Sequence, residues 1–206
     1  MESFVIIKNK FLDTNIKGYY HQFYTGFEES DNPNFLNKLK NTFNNESRDD
    51  LIVARNEVIK ILMTDLPKII IKENIQNCLC VCVPRAKALS TYSESQLMFK
   101  EAVRIAANNI SGVIDGTESI IRVENTRTTH LRNARFIEND GADPYPGITV
   151  DTCRIDKNRV RNQDIILIDD IYTKNVNVDE DCIQALLDSG AKRVIFYAIA
   201  YTRRNR

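Results

Sequence analysis

An excess of charge of either sign is missing from this chain. Its 206 residues carry 28 Lys and Arg against 28 Asp and Glu, a formal net charge of zero. No global field therefore favours nucleic acid or an acidic membrane surface. Nucleic acid is an unexpected partner, though not one the balance forbids. No apolar run is long enough to cross a bilayer. The first residues, Met1-Glu2-Ser3-Phe4-Val5-Ile6-Ile7-Lys8, lack the basic region and long apolar stretch of a secretory signal. A cytoplasmic protein with no membrane partner is the expectation. Internal repeats and low-complexity linkers are absent too, and the length suits one substantial domain.

A complete disulfide framework is also excluded, because five cysteines are an odd number. Cys78, Cys80 and Cys82 alternate with Leu79, Val81 and Val83. That period of two puts the three thiols on one face of a strand. Zinc sites usually combine two Cys pairs with spacers of two to four residues. Cys153 and Cys182 make no such second pair. Reduced, metal-free thiols packed as small hydrophobes are expected.

The remaining pattern divides the chain in two. Residues 1–76 read as a helical N-terminal extension packed on the core, after a short strand-like start. Tyr19, Tyr20, Phe23, Tyr24 and Phe27 recur at steps of three and four, which predicts an aromatic helix face at a core or interface. Asp31-Asn32-Pro33-Asn34 breaks the chain before a helix holding Phe35, Leu36, Leu39 and Phe43. A third helix is predicted over about residues 50–66. Residues 77–206 read as an α/β core of strands alternating with helices. Strands are expected at 78–83, 119–123, 148–153, 165–168 and 193–200. Helices are expected at 93–108 and 178–188, the latter stopped by Gly190. A long polar section, 124–146, separates the second and third strands.

The most informative stretch is Ile165-Ile-Leu-Ile168 followed by Asp169 and Asp170. A buried strand ends there on two carboxylates. A short polar loop, Thr173 to Asn177, then feeds a helix. In open parallel sheets, ligands bind outside the carboxyl ends of strands. A helix N-terminus offers free N–H groups and a positive dipole end to a phosphate. Adjacent carboxylates suit sugar hydroxyls or a hydrated divalent cation. Together these describe a site for a sugar phosphate.

This stretch resembles the 5-phosphoribosyl-1-pyrophosphate (PRPP) motif of type I phosphoribosyltransferases. In that motif hydrophobic residues precede an acidic pair and a Thr-Thr-Gly-x-Thr loop. Asp169 and Asp170 fall on the acidic pair and Thr173 on the first loop Thr. Lys174 stands for the second Thr, Asn175 for the Gly and Asn177 for the last Thr, with Val176 between the two Asn residues. Asn is the non-Gly residue best able to adopt a left-handed backbone. Arg122-Val-Glu-Asn-Thr126, followed by His130 and Arg135, is similar to a region of the ComF-like branch and the amidophosphoribosyltransferase-like group.

The resemblance covers about residues 77–200 and implies a parallel five-stranded sheet flanked by helices. It implies a PRPP-binding, phosphoribosyltransferase-like protein that transfers phosphoribosyl to a nucleobase or other nitrogen nucleophile and releases pyrophosphate. Asp169 and Asp170 would act as the catalytic pair on the ribose hydroxyls. Residues 173–177 would grip the 5′-phosphate. Arg85, Ala86 and Lys87 would form the pyrophosphate loop, and section 124–146 a hood with contacts from Arg122, Thr126 and Arg135. Mg2+ would enter with PRPP, at most through water to Asp169 or Asp170. A homodimer is the commonest assembly. Two readings stay open: an active Mg-dependent transferase, and a non-catalytic PRPP- or nucleotide-binding sensor. A role in handling DNA has support only from the basic end Arg203-Arg204-Asn205-Arg206.

Overall fold

Five consecutive buried residues, Cys78–Cys82, mark a strand covered on both faces, and the architecture follows from it. The computed structural model describes residues 1–26, 29, 31–128, 139, 141, 148–174 and 176–203. In it a six-stranded mixed sheet runs in the order β1-β2-β8-β7-β3-β4. These are β1 (Glu2–Ile6), β2 (Ile16–Tyr24), β8 (Arg193–Thr202), β7 (Asp164–Tyr172), β3 (Cys78–Cys82) and β4 (Val113–Asp115). Only the edge strand β1 is antiparallel to its neighbour.

Side-chain alternation sorts each strand between two cores. Cys78, Cys80, Cys82, Ile166, Ile168, Ile195 and Tyr197 face α1 (Asn34–Lys40), α2 (Arg48–Lys72) and α3 (Met98–Asn109). Leu79, Val81, Ile165, Leu167, Phe196 and Ala198 face the other way. There they meet Cys182, Ile183 and Leu186 of α6 (Val178–Asp188) and Val160 of α5 (Lys157–Val160). The three cysteines of β3 thus share one face, as their spacing predicts. All five cysteines are free and buried. Helix α6 stops where expected: Gly190 takes φ +92°, its N–H donates to Leu187 O, and that of Ala191 donates to Leu186 O.

Several expectations are corrected. Tyr19, Tyr20, Phe23 and Tyr24 lie on β2, not on a helix, and β2 pairs in parallel with β8. Tyr19 and Tyr20 are both buried, Tyr19 in the core under α1–α3 and Tyr20 against the rings of Phe4, Phe23 and Tyr201. A strand covered on both faces yields no alternation, and spacings of three and four then mimic a helix. Residues 1–76 are therefore only partly helical: β1 and β2 extend the core sheet, while α1 and α2 cover one face. Helix α2 runs past Pro67 to Lys72, beyond the predicted end. Phe43 falls outside α1 and is 60 % exposed.

The expected strand at 148–153 is instead the short helix α4 (Ile148–Thr152) leading into β6 (Cys153–Ile155). Strand β6 pairs antiparallel with β5 (Ile120–Arg122) in a separate two-stranded ribbon. The main sheet takes β4 and β2 in their place. Strand β4 carries only three residues, too few to announce a period. Gly112, at φ +79°, leads into it, and Gly116 at its far end sits where an added Cβ would lie 2.6 Å from Leu79.

The topology positions a site. From β3 the chain crosses through α3 to β4 on one side, and it later returns as β7 on the other. Strand order reverses between β3 and β7. A crevice at their carboxyl ends is the general ligand position in such sheets.

Candidate functional site

A cleft of about 690 Å³ occupies that crevice. This volume lies in the range of small-molecule pockets. Its floor is Cys82 and Val83 of the β3 exit with Asp169 and Asp170 near the carboxyl end of β7. Around them stand Pro84–Lys87, Ile120–Arg122 and Thr126–Thr128. Val178 and Asp179 close it at the α6 start, and Leu39, Lys40, Thr42 and Phe43 at the α1 end. Leu89, Tyr92, Leu97 and Phe99 give one wall an apolar character.

The acidic pair is half-buried in the cleft but lies within β7, which runs past the expected end at 168 to Tyr172 and stays paired with β8. Asp170 Oδ1 accepts the Ile171 N–H at 2.6 Å. Burial, and then the charge of Asp170, push Asp169 up to about 7, with Lys40 opposing them. Asp179, in the first turn of α6 and 4 % exposed, also lines the cleft. Burial foremost, then the charges of Asp169 and Glu180, hold its carboxyl well above the usual range, and its Oδ1 is buried with no hydrogen-bond partner among the described residues. Next to it, Glu180 accepts the Tyr172 hydroxyl at 2.9 Å, and Asp181 Oδ2 accepts the Thr149 N–H at 2.8 Å. Acids favour the first turn of a helix because of its dipole, but three buried ones make this end of the cleft more acidic than the loop alone suggests.

The loop after β7 is a turn closed by Val176 N–H to Thr173 O at 3.1 Å. Thr173 and Val176 line the cleft, and the Thr173 hydroxyl meets that of Thr202 at 2.7 Å. Lys174 is exposed and Asn177 lies off the wall; the Asn177 Oδ1 accepts from Asn9 Nδ2 at 3.1 Å. Asn175 lies outside the described residues. Asn177 itself takes φ +64°, a left-handed conformation that Asn tolerates better than other non-Gly residues.

Arg85, Ala86 and Lys87 line the cleft, but the Arg85 guanidinium is committed. It donates to the carbonyls of Gln96 and Lys40 and stacks 4.5 Å from the Tyr92 ring centroid. The Lys87 N–H donates to Tyr92 Oη at 3.0 Å. Arg122 and Thr126, expected near the hood, clamp this loop. Buried Arg122 donates Nε–H to Arg85 O at 2.6 Å and Nη1–H to Thr152 Oγ1. Thr126 gives both its N–H and its hydroxyl to Ala86 O, at 2.9 and 2.8 Å. His130, Arg132 and Arg135 lie outside the described residues. The described ends of section 124–146 are fastened: Thr128 and Asn139 exchange two hydrogen bonds, and Gly141 packs so closely that a Cβ would lie 2.5 Å from Asn125 O.

Three cleft residues escape the sequence reading. Lys40 arrives from the end of α1 and acts on Asp169 across the fold, with no local motif to announce it. Lys100 lines the cleft while paired with Glu118 at 2.7 Å. Asp179 was visible only as an ordinary first-turn acid. Among the described residues, no group of three or more His, Cys, Asp or Glu is arranged to hold a metal ion. No helix among them is long and apolar enough to cross a membrane. A search against known protein families finds no matching family, and a search of curated proteins finds no matching relative.

Proposed function

We propose that the cleft binds PRPP or a related phosphorylated ribose, as a phosphoribosyltransferase-like fold would. The observation that carries this reading is the Asp169–Asp170 pair, which lies near the carboxyl end of the buried strand β7 inside a cleft at the sheet's switch point. The pair offers acceptors for two sugar hydroxyls. The turn Thr173–Val176 and the start of α6 lie beside it for the 5′ end. Lys87 of the clamped loop 85–87, with Lys40 and Lys100 also lining the cleft, supplies the cationic side for pyrophosphate. Mg2+ fits here as an ion carried by the oxygens of the ligand, since the acids among the described residues form no metal cage of their own. Its contribution would be to offset charge on departing pyrophosphate.

In a transfer reaction, the carboxylates would stand close to an oxocarbenium-like carbon and stabilise it by charge. A nucleobase or other nitrogen nucleophile would approach along the apolar wall. A second reading, a non-catalytic sensor of the same ligand, gains support from Arg85. Its guanidinium is tied to two carbonyls and is not held out toward a leaving group. Calorimetry with PRPP and Mg2+ tests the shared claim. Asp169→Asn with Asp170→Asn should abolish binding and leave the circular dichroism spectrum unchanged. Undiminished affinity in the double variant would refute the site. Pyrophosphate release with a panel of bases would then separate transferase from sensor.

A further inference from the structure

We infer that Phe43 is a specificity-determining residue of the cleft, a platform on which a planar heteroaromatic ring stacks. The acceptor is then a ring-bearing base, and not ammonia or an alkyl amine. This deepens the reading above and rests on it only for the ribose end of the ligand.

Phe43 is a large ring left out of both cores. It is 60 % exposed, yet it lines the same cleft as Asp169 and Asp170. A single exposed Phe on an open surface is ordinary. This one sits on a segment pinned on both sides. Just after α1, Asn41 and Asn44 take φ +34° and +53°, and the Asn44 N–H donates to Asn41 O at 3.0 Å. The Arg85 guanidinium donates to Lys40 O. Gln96 Nε2 donates to Asn41 O at 3.1 Å and to Thr42 O at 3.3 Å. The hydroxyls of Ser93 and Ser95 donate to Asn44 Oδ1 at 3.0 and 2.5 Å. The backbone around Phe43 is thus tied to the turns that follow β3, while its ring stays in the cleft. A contact surface held in advance costs little ordering when a ligand meets it.

The surroundings define the ligand. Leu89, Tyr92, Leu97 and Phe99 line the cleft together with Phe43. The Tyr92 ring already carries the Arg85 guanidinium, 4.5 Å from its centroid. No ring or cation among the described residues stacks on Phe43 in that way. An uncovered aromatic face inside a cleft suits a flat π-system, which stacks on it whatever its hydrogen-bonding edges. At about 690 Å³ the cleft also has room for a ligand larger than a sugar alone. The carboxylate pair takes the ribose, and Phe43 takes the ring that is joined to it. A nucleophile without a ring gains nothing from Phe43.

The chain has no tryptophan, so Phe43→Trp places a sole fluorophore at the platform. Val53→Trp is the control, at a residue of α2 that is 71 % exposed and does not line the cleft. The probes are adenine, uracil, adenosine 5′-monophosphate and ribose 5-phosphate. Adenine and adenosine 5′-monophosphate should quench Phe43→Trp saturably and leave Val53→Trp no more affected than free tryptophan. Calorimetry supplies the second readout. Phe43→Ala should weaken adenosine 5′-monophosphate by about tenfold or more, the scale of one lost base–ring stack, and Phe43→Tyr should restore it. Ribose 5-phosphate, which has no ring, should bind wild type and Phe43→Ala alike. Equal nucleotide affinity in wild type and Phe43→Ala would overturn the inference. So would quenching of Phe43→Trp by no ring beyond the Val53→Trp control, whether or not ribose 5-phosphate binds. If ribose 5-phosphate and PRPP do not bind while adenine still quenches, the ribose reading fails and the platform stands.

Discussion

Replacing Arg122 should show how far the cleft depends on a buried clamp. The side chain is 3 % exposed, and its guanidinium holds the Arg85 carbonyl at 2.6 Å and the Thr152 hydroxyl. Hydrogen bonds to charged groups are worth about 1.5–3 kcal/mol each. Arg122→Met keeps much of the volume but removes both bonds and strands a buried carbonyl. A loss of about 3–5 kcal/mol is expected, a large part of the roughly 5–15 kcal/mol of a typical domain. Thr126→Val is the gentler cut. It deletes the hydroxyl bond to Ala86 O but leaves the backbone N–H bond to the same oxygen, so about 1 kcal/mol should go. Urea unfolding followed by circular dichroism measures both, because the chain has no tryptophan to report by fluorescence. If loop 85–87 meets the ligand, Thr126→Val should also weaken PRPP binding by about three- to tenfold, since small misplacements of a binding loop are felt strongly. Arg122→Met within about 1 kcal/mol of wild type would refute the clamp. Unchanged PRPP affinity in Thr126→Val would remove the loop from the site.

Two further outcomes follow from the same structure. All five cysteines are buried, and burial pushes the Cys78 thiol up to about 11 and those of Cys80, Cys82 and Cys182 further still. A thiol-reactive disulfide should therefore label the native protein slowly and all five sites after denaturation, and stoichiometric zinc in the purified protein would contradict this packing. At low pH, three acids decide stability. Burial alone would raise Asp65, Glu73 and Asp164, but their hydrogen-bonded partners hold each below its ordinary value. Those partners are His21 and Tyr197, Lys17 and Tyr19, and Lys192 and Arg193. Depressed acids add stability above their unfolded values and lose it as pH falls through the folded ones, so the urea midpoint should drop below about pH 4. Asp164→Asn should make that drop shallower, and a midpoint flat down to about pH 3 would refute the assignment.

What was legible in the sequence lay in segments whose burial differs between faces or whose ends are punctuated. β3, β7, α6 and β8 follow from short apolar runs, and Gly190 marks the end of α6 as expected. The acidic pair could be placed because an apolar run precedes it and a helix start follows within ten residues, although β7 continues two residues beyond it to Tyr172. β2 was hidden because aromatic side chains fill both of its faces, which erases the period of two. The β5–β6 ribbon was misplaced into the main sheet because three-residue strands carry no register signal. Which residues converge on the cleft was only half visible. Lys40 comes from a helix more than a hundred residues away along the chain from Asp169, and only the packing of α1 brings it there. The commitment of Arg85 to two carbonyls likewise depends on where the α1 end and the Glu94–Leu97 turn come to rest.

The most direct test of the central claim is a crystal structure of the protein with PRPP and Mg2+. The account predicts the ribose in the cleft between β3 and β7, with its hydroxyls hydrogen-bonded to Asp169 and Asp170. PRPP bound elsewhere, with both carboxylates untouched, would contradict it.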